Sequence, residues 1–125
     1  MLDTCAFLWL VSAPEKLSKK ACSALQQPGA ILGLSDVSVW EITLKHQLGK
    51  LRLPEPPRFW IEAQSSAWHL QAISITREHM YRSSELPMHH KDPFDRLLAA
   101  QSIVEAMPIV TPDAHLNIYP VATLW

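Results

Sequence analysis

The sequence contains no apolar run longer than residues 5–11, far short of the roughly 20 residues a helix needs to cross a bilayer. No Lys or Arg precedes that run, and Asp3 stands where a secretory leader carries positive charge, so it does not read as a signal peptide. Cysteine is scarce. Cys5 and Cys22 stand alone, without a CxxC pair, which excludes a disulfide framework and fits buried, reduced thiols in a cytoplasmic protein. A basic excess is missing too. Lys and Arg number 11 against 12 Asp and Glu, for a formal charge of −1. Bulk charge therefore gives no argument for a nucleic-acid partner. Such a partner would need a local patch, drawn from Lys45, His46, Lys50 and Arg52 or from His89, His90, Lys91 and Arg96. Each of these also reads as an ordinary solvated charge. Internal repeats and low-complexity segments are absent.

What is present suits one packed domain spanning residues 1–125, with 48% apolar residues. Charged residues at 18% and aromatics at 8% argue against disorder. Met1 and Leu2 read as the end of a strand, with Asp3 at its carboxyl end. A buried helical turn follows over residues 6–10. Helices are expected over residues 14–26, with Leu17, Ala21 and Leu25 on one face, and over 38–48, with Trp40, Leu44 and Leu48 in a stripe. Further helices are expected over residues 58–67, 77–85 and 93–106. In the last, Asp92 and Pro93 supply an N-cap and an N1 proline. Short strands fit residues 30–34, 72–75, 109–110 and 121–122. Alternation of this kind predicts an α/β sandwich around a parallel sheet. Ligands of such sheets bind beyond the carboxyl ends of the strands. The five tryptophans read mostly as core, with base stacking by Trp9 or Trp40 as the alternative.

Asp3, Glu41, Asp95 and Asp113 are the candidate metal-holding acids, with Asp92 a fifth. Each also has a structural explanation. Asp3 suits a helix cap, and Asp95 suits a first helical turn. Asp113 suits a turn, and Asp92 an N-cap before Pro93. Ser38 and Glu41 match a capping box, and Glu41 and Lys45 an i,i+4 ion pair. Taken together, the acids offer the hard oxygen ligands that Mg²⁺ or Mn²⁺ prefers. That chemistry requires a fold that gathers them, since the sequence gaps are long.

Four segments carry a resemblance: Leu2-Asp3-Thr4-Cys5-Ala6-Phe7-Leu8-Trp9; Ser35-Asp36-Val37-Ser38-Val39-Trp40-Glu41-Ile42 with Lys45 and Gly49-Lys50-Leu51; His90-Lys91-Asp92-Pro93-Phe94-Asp95-Arg96-Leu97-Leu98-Ala99-Ala100-Gln101; and Val110-Thr111-Pro112-Asp113. In this order they resemble the PIN domain and, within it, the VapC-like toxins of type II toxin–antitoxin systems. The resemblance implies a three-layer α/β/α sandwich with a short central parallel sheet, and an endoribonuclease that hydrolyses RNA by water activated on one or two Mg²⁺ or Mn²⁺ ions. It implies Asp3, Glu41, Asp95 and Asp113 as the catalytic and metal-holding acids, a neutralising antitoxin protein, and a homodimer. Arg96, Lys45, Lys50 and Thr4 are candidates for holding substrate phosphate. Thr4, Ser38 and Thr111 stand beside the acids to position water or phosphate, or else to cap locally. Two features depart from the family pattern: only Met1 and Leu2 precede the first acid, which predicts a shortened central strand, and Cys5 stands where a histidine is common. The alternatives are a PIN-fold binding module with little turnover, and a metal-dependent phosphatase.

Overall fold

The computed structural model describes residues 1–125. Four short strands form its sheet: β1 (Gly33–Ser35), β2 (Gln71–Ile73), β3 (Ile109–Val110) and β4 (Thr123–Leu124). β1 pairs with β2 and β3 with β4, both in parallel. Leu2 lies between the two pairs, bridging Leu34 on one side and Val110 on the other, again in parallel. The order across the sheet is therefore β2, β1, Leu2, β3, β4. The central position is thin but well bonded: Leu2 N–H donates to the Gly33 carbonyl, Val110 N–H to that of Met1 and Asp3 N–H to that of Val110.

Six helices surround the sheet: α1 (Thr4–Ser12), α2 (Lys19–Leu25), α3 (Asp36–Gln47), α4 (Pro57–Ala67), α5 (Arg77–Glu85) and α6 (Pro93–Glu105). Strand alternation sends neighbouring side chains to opposite faces, and two separate cores result. Leu2, Leu34 and Val110 join Phe7, Leu17, Ala21, Ile42 and Trp60 on one face. Met1 and Ile109 join Val37, Leu98, Ala99 and Leu116 on the other. This is the expected three-layer arrangement. Phe7 is fully buried and meets Trp60 edge-on at 5.8 Å between ring centroids. Burying a side chain of this size contributes roughly 1.5–3 kcal/mol.

Helix ends follow local chemistry, and several expected boundaries change. Residues 14–26 do not form one helix. Pro14–Lys16 is a 3₁₀ turn, and α2 starts afresh where the Ser18 hydroxyl accepts from Ala21 N–H. The face of Leu17, Ala21 and Leu25 is nonetheless buried as expected. α3 starts two residues before Ser38, because Ser35 at the end of β1 accepts from Val37 N–H and acts as the cap. The capping box of Ser38 and Glu41 therefore does not form, and the Ser38 hydroxyl is buried without a partner. A reciprocal capping box does occur at α5, between Thr76 and His79. His79 Nδ1 accepts there, which leaves Nε2–H to donate to Glu105 on α6 at 2.9 Å. The last strand lies at Thr123–Leu124 rather than residues 121–122.

The stripe of Trp40, Leu44 and Leu48 is not the buried face of α3. Trp40 is 54% exposed and Leu48 58%, while Val37, Ser38, Glu41 and Ile42 point inward. Trp60 is the one tryptophan in the core.

Gly33 marks a tight crossing between β1 and β2. A Cβ there would stand 2.4 Å from Ile73 Cδ1 and 3.0 Å from Ile73 Cγ1. Gly33→Ala is expected to destabilise the protein by about 1 kcal/mol, lowering the Tm by about 4 °C. Thermal unfolding of that variant, and of the same variant with Ile73→Val to remove Cδ1, checks the cause: the second change should recover part of the loss.

Candidate metal centre

The sheet and helix ends bring acids from four distant stretches to one hollow of about 180 Å³. Asp3, Glu41, Asp92, Asp95 and Asp113 line it, together with Thr4 and Lys45. It lies beyond the carboxyl ends of the parallel strands, where Asp3 follows Leu2 and Asp113 follows β3.

Three of these acids also close helices. Asp3 caps α1 through Oδ1, which accepts from Ala6 N–H at 2.6 Å. Asp92 caps α6 through Oδ1, which accepts from Phe94 N–H at 2.9 Å. Asp113 caps the 3₁₀ turn Ala114–Ile118 through Oδ1, which accepts from His115 N–H at 2.8 Å. Glu41 sits on the buried face of α3, where Oε2 accepts from the Thr4 hydroxyl and Oε1 pairs with Lys45 Nζ at 2.5 Å. The expected i,i+4 pair is thus present. Asp95 lies in the first turn of α6 and has no capping duty.

His90 ties this group together. Its Nδ1 accepts from Asp92 N–H at 3.1 Å, so the neutral ring carries its proton on Nε2. Nε2 lies 3.2 Å from Asp95 Oδ2 and 3.4 Å from Asp113 Oδ2. In the sequence His90 belongs to a basic cluster and opens the third of the four segments that carry the resemblance. Nothing local points to a bridge across 23 residues to Asp113, because that contact depends on the fold.

Burial dominates the electrostatics. Asp3 is pushed up to about 6, first by desolvation and further by Glu41 and Asp113, with the Thr111 hydroxyl and Ala6 N–H opposing. Thr111 Oγ1 accepts from Asp113 N–H, which orients its own proton for Asp3. Asp95 is also pushed up to about 6, by desolvation and then by Asp92, with His90 opposing. Glu41, by its hydrogen bond, raises the Lys45 ammonium. The hollow thus concentrates more negative charge than its own cations offset. A hard divalent ion fits that need and the oxygen-rich donor set. One oxygen each from Asp95 and Asp113 and a ring nitrogen of His90 lie within 4.8 Å of one another. With Nδ1 taken by Asp92 N–H and Nε2 protonated toward the acids, the two carboxylates are the ligands on offer, and His90 would join them only after giving up that proton.

Other expected site residues fall elsewhere. Arg96 points inward and is 7% exposed. Its guanidinium donates to the carbonyls of Ser83, Leu86 and Pro87 and to the Tyr119 hydroxyl, so it braces the α5–α6 connection and is not free for substrate phosphate. Helical spacing carries a signal for this, since Arg96 shares a face with the buried Ala99 and Ala100. Lys50 lies past the end of α3, outside the hollow. Cys5 is exposed at the rim and Cys22 half-buried, so the expectation of two buried thiols does not hold. Ser38 lies outside the lining.

No curated protein sequence matches the chain. The family model described as PIN domain matches residues 1–121, a span that takes in all five acids and His90. With that match over almost the whole length, and with the acids gathered at the strand ends, the chain belongs to the PIN-domain family.

Proposed function

We propose that this protein is a divalent-metal-dependent endoribonuclease of the VapC toxin type, with Asp3, Glu41, Asp95 and Asp113 as its working acids. PIN domains are generally metal-dependent nucleases, and the observation that carries the nuclease reading is the convergence of four sequence-distant carboxylates on one hollow. The VapC type is supported by the resemblance of the four segments that hold those acids. A dication bound there, Mg²⁺ or Mn²⁺, supplies the charge that lowers the pKa of water and polarises a phosphodiester.

The chain's own residues prepare for this. Asp3 and Asp113 each engage only Oδ1 with a backbone N–H, and the second oxygen of Asp113 faces His90 Nε2. Thr4 and Lys45 fix the Glu41 carboxylate. His90 holds Asp95 and Asp113 facing each other. Asp92 borders the acids and serves first as a cap. A VapC-type role brings with it a cognate antitoxin protein as partner and a homodimer as the working assembly.

Incubation of the full chain with structured RNA, and separately with a chromogenic phosphoester, each with and without Mg²⁺, tests the reading. Scission of RNA only with metal is the expected outcome. Turnover of the phosphoester alone would make the protein a phosphatase. No turnover of either, at confirmed folding, would make it a binding module.

A further inference from the structure

A polyanionic substrate entering an acid-lined hollow needs cations along its path. Two cations beside the acids are committed, Lys45 in the hollow to Glu41 and Arg96, next in sequence to Asp95, to backbone carbonyls. A second hollow, of about 280 Å³, adjoins the first and shares Pro112 and Asp113 with it. Its walls carry Lys20, Asn117, Thr123 and Trp125. Lys20 is exposed and has no ion pair. Trp125 is half-buried and braced against Trp9 at 5.5 Å between centroids, with Lys16 Nζ 5.8 Å over the Trp9 ring. Asn117 Oδ1 accepts from the Thr123 hydroxyl at 2.5 Å, which leaves its amide N–H groups free to donate.

We propose that this second hollow is a nucleotide subsite, taking the single-stranded RNA residue next to the scissile phosphate, an inference that rests on the nuclease reading above. The parts match that ligand's chemistry. An unpaired lysine meets a phosphate, a braced indole gives a base a surface to stack on, and an oriented amide donates to acceptors on the base edge. Pro112 and Asp113 line both hollows, so a strand held here lies next to the acids. Duplex RNA would not present a free base to Trp125, and the site therefore selects unpaired segments.

The test uses a fluorescently labelled single-stranded oligoribonucleotide. Its binding in Mg²⁺ is followed by anisotropy in the Asp95→Asn background, chosen to slow cleavage far below the time of the measurement, and kcat/KM is measured in the otherwise unchanged protein. Lys20→Glu is expected to weaken binding about tenfold and to flatten the salt dependence by about one phosphate contact. Asn117→Ala is expected to weaken binding by about threefold, in the range of one neutral hydrogen bond. Arg77→Glu makes the same charge change on α5, outside both hollows, and should leave binding within twofold. If the parent cuts RNA while Lys20→Glu and Asn117→Ala bind and cut like Arg77→Glu, the subsite is wrong and the nuclease reading stands. If the parent neither binds nor cuts any RNA, the nuclease reading fails and takes the subsite with it.

Discussion

Asp95→Asn is expected to lower metal-dependent RNA cleavage about 10³-fold, a loss of ~4 kcal/mol of transition-state stabilisation, while the metal-free protein melts no lower than the parent. The two halves of this result have one cause. Asp95 caps nothing, and its carboxylate faces His90 with Asp92, Glu41 and Asp113 near enough to act on it. Asparagine has the same shape but carries no charge. It takes away one of the proposed ligands of the dication, and it also removes a carboxylate whose ionisation burial resists. A residue that served only to brace the helix would show the reverse, with stability falling and activity following it. Cleavage rates and thermal unfolding on the same preparations check both halves. Cleavage at the parent rate would remove Asp95 from the site.

In EDTA, stability is expected to fall as pH rises from about 4 to about 6, and a divalent ion added at neutral pH should restore it. The sign follows from Asp3. Its folded-state pKa of about 6 lies above its ordinary 3.8, so in that window the folded protein holds the proton more tightly than the unfolded chain. The contribution is fully present below the ordinary value and is lost as pH climbs through the raised one. For Asp3 this amounts to about 3 kcal/mol, and the more open Asp95 adds a smaller share, reduced by solvent screening. Urea unfolding at a series of pH values, for the parent and for Asp3→Asn, isolates the effect. The variant should show a flatter profile and a weaker response to Mn²⁺. Parallel profiles would mean that Asp3 does not titrate as its burial requires.

Much of the scaffold behind these results is legible in the sequence where local chemistry decides alone. Asp92 followed by Pro93 fixes the start of α6, and Arg77–Glu85 appears at its expected bounds. The gathering of Asp3, Glu41, Asp95 and Asp113 is legible as a constellation, because strand ends and helix starts in an α/β sandwich share one edge. Local chemistry fails where two signals compete. Ser35 and Ser38 both suit a cap. The first wins because β1 runs straight into α3, and that choice turns the face of Trp40 toward solvent. Ser18 breaks a helix that the spacing of Leu17, Ala21 and Leu25 alone would continue. The partners of His90 and Arg96 are illegible for another reason. Each side chain acts on groups many residues away, Asp113 for one and Tyr119 for the other. No local pattern encodes such partners.

Three acids at the hollow, Asp3, Asp92 and Asp113, each have one oxygen engaged with a backbone amide at the head of a helix or turn. Asparagine caps a helix about as well as aspartate does. Exchanging carboxylate for amide at Asp3 or Asp113 therefore leaves the architecture in place while stripping the charge that faces the hollow. Folding and the proposed chemistry rest on different atoms of the same side chain. A copy of this protein can in that way fall silent by a single substitution and still be made, fold and remain available to whatever binds its outer surface.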